Sequence, residues 1–303
     1  MPDAPIVNIL RQGDTSKPNP FTIVIVANPA LESPWKSGKF NADAITANQT
    51  AFDSCANYID RCLFGELTEQ RERFLADPSI TAKIRVVSLF VAGLPAEDAT
   101  SLVGEWKNTI TLVARRTQFA PFLARYNLEA DIAYAVSDST THRRASAWGA
   151  TDNDAGPGVS FELDGQTFHH RHYHLIPGAA ALHATSDSLT ALHEFGHAAS
   201  SYSNGYVTDL YTDSPAALNN KRARPIPPDF GTYDGTAFAA DQTRDHLGYP
   251  GNWRSYHCEL IDSQFPALMD DYWKASDGAP EHCQHDRITR RFLLDRVRAK
   301  VAR

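Results

Sequence analysis

Cysteine and methionine are scarce in this 303-residue sequence, which has four of the first and two of the second. Four cysteines are too few for a disulfide-stapled scaffold, so folding must rest on a buried core, and a chain of this length can form a large one. Cys55 and Cys62 fall on one helical stripe with Ile45, Phe52 and Ile59. That spacing on a helix puts the two thiols about 10 Å apart, too far to bridge, so both read as core residues. Cys258 and Cys283 could pair only in an exported protein. His257-Cys258 and His282-Cys283-Gln284-His285 gather metal-binding residue types, but their spacing matches no standard structural zinc pattern.

Long hydrophobic runs are lacking as well. The best apolar segments, Phe21–Ala27 and 86–92, are strand-sized, far short of a membrane span. The opening Met-Pro-Asp-Ala-Pro has neither the basic nor the apolar region of a secretory signal, so a cytoplasmic protein is expected. There is no basic excess: the net charge of -7 leaves no electrostatic footprint for nucleic acid. The basic residues near the C-terminus are interleaved with Asp286 and Asp295. Ile288, Phe292, Val297 and Val301 recur among them at near-helical spacing, which reads as a helix with a solvated basic face.

What is present is an alternation of strand-like and helix-like stretches. Phe21–Ala27 reads as a buried strand stopped by Asn28-Pro29. A helix is expected from about 41 to 64, closed by Gly65, and a second over 67–75. Further strands are expected at 84–92 and 131–136. The alternation argues for an α/β architecture with a partly parallel sheet. Val159–Leu163, the turn Asp164-Gly165 and a return over 166–175 read as a hairpin. The return strand carries His169, His170, His172 and His174, three of them on one face. That row is either an accessory metal site or the polar side of an edge strand. Asp152-Asn153-Asp154 reads as a solvated turn. Beyond about Gly205 the chain turns irregular and rich in Pro, Gly, Asp and Asn. The expected organisation is an N-terminal α/β lobe, 1–205, and a looser C-terminal lobe, 206–303, with a motif helix at the junction.

That helix holds the most informative stretch, Leu189-Thr-Ala-Leu-His-Glu-Phe-Gly-His-Ala-Ala199. Thr185, Ser186 and Asp187 offer capping groups ahead of it, and Leu189, Leu192 and Ala199 mark a face for packing. On a helix His193 and His197 stand one turn apart, so both imidazoles can reach one ion. Glu194 projects at an adjacent angle, suited to act as a base rather than as a ligand. Zinc held there would activate a water and polarise a carbonyl, and Glu194 would move the proton from that water to the leaving amine. The implied cofactor is Zn2+, and the implied activity is hydrolysis.

A catalytic zinc needs a third protein ligand. Ser200 and Ser203 occupy the positions where the long metzincin motif has Gly and His, which excludes that form. Glu259, followed by Asp262, fits the thermolysin-like spacing poorly. Asp209, Asp213, His246 and His257 remain. Asp209 is favoured because Asn204 and Gly205 can end the helix and turn the chain back.

The run His193-Glu-Phe-Gly-His197 followed by Asp209-Leu210-Tyr211 resembles the IgA-peptidase-type zinc metallopeptidases, whose motif helix leads into Asp-Glu-Tyr. The opening segment from Asp14 to Val26 and the strand at 131–137 are similar to that family too, although Leu210 replaces its Glu and the stretch before Asp209 is longer. The resemblance implies a zincin-like, or metzincin-like, fold: a mixed twisted sheet, an active-site helix and an irregular C-terminal lobe. It implies zinc held by His193, His197 and Asp209, Glu194 as general base, and a peptide or protein substrate laid along a sheet edge near the helix. It also implies a methionine in a turn beneath the metal, for which Met269 in Pro266-Ala-Leu-Met-Asp-Asp-Tyr272 is suitably placed, and Met269 as an ordinary core residue is the alternative. Tyr272 or Tyr211 could donate to an oxyanion. A hydrolase of non-peptide amides and a catalytically silent binding protein of the same fold are the competing expectations.

Overall fold

In a computed structural model of the chain, the described residues are 4–14, 20–151, 159–163, 166–170, 177–186, 189–199, 201–202, 209–210, 224–225, 232–233, 236–237, 239–240, 254–256, 267–269, 272–275, 278–285 and 287–301; within 150–170 and 201–256 only the backbone is described. The protein is mixed α/β. In chain order the first elements are β1 (Ile6–Arg11), β2 (Phe21–Ala27), β3 (Ala30–Glu32), β4 (Phe40–Ala42), α1 (Gln49–Leu63), β5 (Ile84–Phe90), β6 (Ser101–Glu105), β7 (Leu112–Ala114), α2 (Arg116–Ala124) and β8 (Ile132–Ser137). They are followed by β9 (Ser146–Trp148), β10 (Ala150–Thr151), β11 (Val159–Leu163), β12 (Gln166–His170), β13 (Gly178–His183), α3 (Thr190–Ala199), β14 (Ser201–Tyr202) and β15 (Asp209–Leu210). The last helix, α4, is Arg287–Val301.

A six-stranded sheet in the order β1-β5-β2-β8-β13-β9 forms the centre. Its four inner strands run parallel, while β1 and β9 lie antiparallel at the two edges. Both faces are covered, which is why β2 reads as an unbroken apolar run. Alternation then sorts each strand between two cores. Ile23, Ile25, Tyr134, Val136, Ala180 and Leu182 face α1, α3 and α4. Val24, Val26, Ala133, Ala135, Ala179 and Ala181 face α2 and a second sheet, β4-β3-β6-β7.

Several expectations need correction. The helix expected over 41–64 begins only at Gln49: Asn48 caps it by accepting from the Ala51 N–H at 3.0 Å, and Phe40–Ala42 is instead drawn into pairing with β3. Gly65 does stand just past the helix end at Phe64. No α-helix forms over 67–75. There the Gln70 side chain ties itself to the Cys62 and Glu72 carbonyls, and only a short 3-10 turn, Phe74–Ala76, appears. The hairpin β11–β12 pairs as expected, with Leu163 opposite Gln166. It forms its own two-stranded sheet, so the strand that leads into the motif helix is the interior strand β13, and the antiparallel edge beside it is β9. His172 and His174 lie outside the described residues, as do Asp152, Asn153 and Asp154.

The basic face of the last helix is not simply solvated. Lys300 is buried and pairs with buried Asp131 at 2.9 Å, and Arg290 pairs with buried Glu72. Leu293, Leu294, Val297 and Val301 are buried in the same core as α1 and α3. Ala267, Leu268, Met269, Tyr272 and Cys283 join these α4 residues in the same core as the N-terminal strands. No helix among the described residues is long and apolar enough to cross a membrane.

Candidate metal centre

The helix α3 follows β13 and folds back over the sheet beside it and β9. The fit is close: a Cβ on Gly178 of β13 would come within 2.1 Å of the Ala198 carbonyl oxygen, so only glycine lets the helix sit this low. Thr185 and Ser186 do not cap α3 as expected. Ser186 Oγ accepts from the His183 N–H, and Thr185 holds the His183 ring. The helix also ends at Ala199, before Asn204 and Gly205, and the chain passes at once into β14, paired in parallel with β10.

His193 and Glu194 are buried and His197 is half-buried. The Nδ1 of His193 lies 2.7 Å from the carbonyl oxygen of Leu268. A carbonyl only accepts, so Nδ1 carries the proton and Nε2 keeps its lone pair. That lone pair faces Nε2 of His197, 3.1 Å away. A zinc ion with two nitrogen ligands at ~2.05 Å in tetrahedral array would hold them about 3.3 Å apart. The two imidazoles therefore already span one edge of such a site, and the Leu268 carbonyl is the kind of outer partner that fixes a metal-binding histidine.

Leu268 comes from a turn that sequence reasoning reached only through its neighbour Met269. Met269 is fully buried beneath the motif helix. A Cβ on Gly196 would meet its Sδ at 2.2 Å and its Cε at 2.6 Å. Gly196, between the two histidines, is there to admit that thioether. Tyr272, also buried, stands 5.3 Å from the His193 ring centroid, and its hydroxyl shares a 2.8 Å hydrogen bond with Thr190 Oγ1. Trp273, about half exposed, meets the same ring edge-on at 6.0 Å.

Of the third-ligand candidates, Asp209 is placed by its backbone. The strand β15 lies against α3 and pairs in parallel with Ser255–Tyr256. The chain does therefore return to the motif helix after its exit. Asp213, His246, His257, Glu259 and Tyr211 lie outside the described residues. No group of three or more His, Cys, Asp or Glu side chains gathers at one point among the described residues.

Sequence reasoning noticed His285 only as part of the run His282-Cys283-Gln284-His285, and its contacts were not legible there. It is buried, with both ring nitrogens lacking a hydrogen-bond partner, and its ring meets Phe74 edge-on at 5.3 Å. Burial first, and then its neighbours His193 and Arg290, drive its pKa down to about 3, so it is neutral near pH 7. Its backbone N–H donates to Glu72 at 2.7 Å. A histidine and a glutamate 213 residues apart carry no sequence signal of such a contact. Cys283 is buried, with Sγ 3.7 Å from the Tyr272 carbonyl, whereas Cys258 lies outside the described residues. On the other side of α3 a cavity of about 330 Å³ is lined by Cys55, Tyr58, Leu182, His183 and Ala191. Burial and Asp138 raise the Cys55 thiol pKa, which keeps it protonated and a poor nucleophile. No family model matches the chain, and no curated protein or solved structure is similar to it at a significant level.

Proposed function

We propose that the protein is a zinc-dependent peptidase with a zincin-like fold, resembling the IgA-peptidase-type enzymes. The observation that carries this reading is the preset histidine pair. His193 is held as the Nδ1–H tautomer by Leu268, and its Nε2 lies 3.1 Å from Nε2 of His197, so the two rings face one point. Asp209, on a strand lying against the motif helix, is the third ligand in this reading. A zinc ion bound there supplies Lewis acidity to a water and to a scissile carbonyl.

The chain's own residues do the rest. His193 and His197 hold the ion, with Met269 packed under the helix between them. Glu194, buried one position along from His193, accepts the proton of the attacking water and returns it to the leaving amine. The resemblance to peptidases favours a peptide or protein over a small amide as the substrate.

Purified protein is expected to hold about one zinc per chain. Glu194→Gln should keep that metal and lose at least about 10³-fold in peptide hydrolysis. A Gln variant that cleaves like the wild type would remove Glu194 from the mechanism. A wild type that retains no divalent metal after dialysis would overturn the reading as a whole.

A further inference from the structure

The carbonyl that orients His193 belongs to a turn, not to a helix or strand, so something else must hold it still. Its own N–H answers part of the question: Leu268 N–H donates to the Gln284 carbonyl at 2.8 Å. The next residue, His285, donates its N–H to Oε2 of Glu72 at 2.7 Å. The other oxygen of Glu72 accepts from the Arg73 N–H at 2.9 Å and from Arg290 on α4. Glu72 is 1% exposed. One buried carboxylate therefore ties the Gln284-His285 segment to α4 and to the chain ahead of the Phe74–Ala76 turn. From it an unbroken series of contacts runs through His285, Gln284 and Leu268 to the His193 ring.

We propose that Glu72 is a positioning residue for the metal centre, acting through this series to keep the Leu268 carbonyl under His193 Nδ1. The proposal rests on the reading of His193 as a metal ligand. The physical reason for a carboxylate at this position is its capacity. Two oxygens can accept from three pieces of chain at once, and the Arg290 guanidinium offsets the cost of burying the charge. A neutral amide offers one accepting oxygen and two unwanted N–H donors, so it would satisfy Arg290 or His285 but not both. The aromatic rings at the junction, Phe74 and Phe195, offer no substitute acceptor.

Glu72→Gln tests this with two readouts. The first is exchange of the His193 Nδ1 proton, followed by nitrogen-15 NMR in metal-free protein. The second is zinc affinity by chelator competition. The expected result is proton exchange at least about tenfold faster and zinc bound about 10–100-fold more weakly, the scale seen when an outer partner of a metal ligand is lost. A merely structural role would lower the melting temperature and leave the ring proton as it is in the wild type. A folded Glu72→Gln variant with unchanged proton exchange overturns the proposal. Should that variant not fold, Arg290→Gln loosens the same carboxylate from the partly exposed side. It should shift both readouts in the same direction by a few-fold, and no shift would again overturn the proposal. A wild type that binds no zinc would defeat the peptidase reading, while the proton-exchange measurement would still decide the role of Glu72.

Discussion

The two faces of the six-stranded sheet are closed by pieces of chain from very different distances. On the face under β3, β6, β7 and α2, the buried ion pair joins Glu32 to Arg115, and every residue in that core lies between 24 and 181. On the face under α1, α3 and α4, Glu72 reaches Arg290, Asp131 reaches Lys300, and His193 reaches Leu268. Among the described residues, the first face is built from the first two thirds of the sequence. The second is unfinished until the last thirty-odd residues return to it, and that is the face bearing the histidine pair. The difference teaches that the orientation of the His193 ring depends on tertiary closure rather than on the motif helix alone.

The sharpest way to break this comparison is to make equal cavities on both faces. Phe195→Ala under α3 and Phe122→Ala on α2 each empty a fully buried ring position and should each cost about 3–5 kcal/mol in urea unfolding. Only Phe195→Ala should also weaken zinc binding by chelator competition. Equal losses of affinity in the two variants would mean that the faces are not independent.

A smaller effect is expected at Gly196. Gly196→Ala gains helix propensity but drives a methyl into Met269, for a net loss of about 1–3 kcal/mol and weaker metal binding. The double variant with Met269→Ala should recover most of the affinity by making room. Failure of that rescue would show that the thioether contact is not what Gly196 serves.

The smallest effect concerns pH. His285 has a folded pKa of about 3, below its ordinary value near 6.5. Between those values the unfolded chain binds a proton that the folded chain refuses, so stability rises with pH across this window and falls as pH is lowered through it. The groups facing the ring are Arg290 from α4 and His193 from α3, with Glu72 on its backbone N–H. The wild type should lose about 1–2 kcal/mol more between pH 7 and pH 5 than His285→Leu does. Parallel stability curves for the two proteins would exclude His285 as the source.

Much of the scaffold was legible because its signals are local. The run Phe21–Ala27 forms the strand expected of it, and Ile84–Phe90 and Ile132–Ser137 fall within two residues of expectation. The motif helix was legible from periodicity and from the chemistry of His193, Glu194 and His197. The region before the 3-10 turn was misread because helix-like patterning at 67–75 says nothing of where Gln70 and Glu72 find partners. The side chain of Gln70 captures two carbonyls, and that of Glu72 captures groups more than 200 residues away. The hairpin was read correctly but its standing as a separate two-stranded sheet was not legible, since register within a pair of strands is local and membership of a sheet is not.

The sequence by itself determined the alternating apolar runs that make an α/β sheet and the one-turn spacing that points two imidazoles the same way. It also determined the glycine that leaves room between them. Tertiary structure alone decided which tautomer His193 adopts, because a backbone carbonyl selects it and every residue has one. It decided too that Met269 fills the space at Gly196 and that Glu72 anchors the far end of the chain. Hydrogen bonds and packing across such separations depend on where the folded chain brings groups together, and no local pattern encodes that meeting.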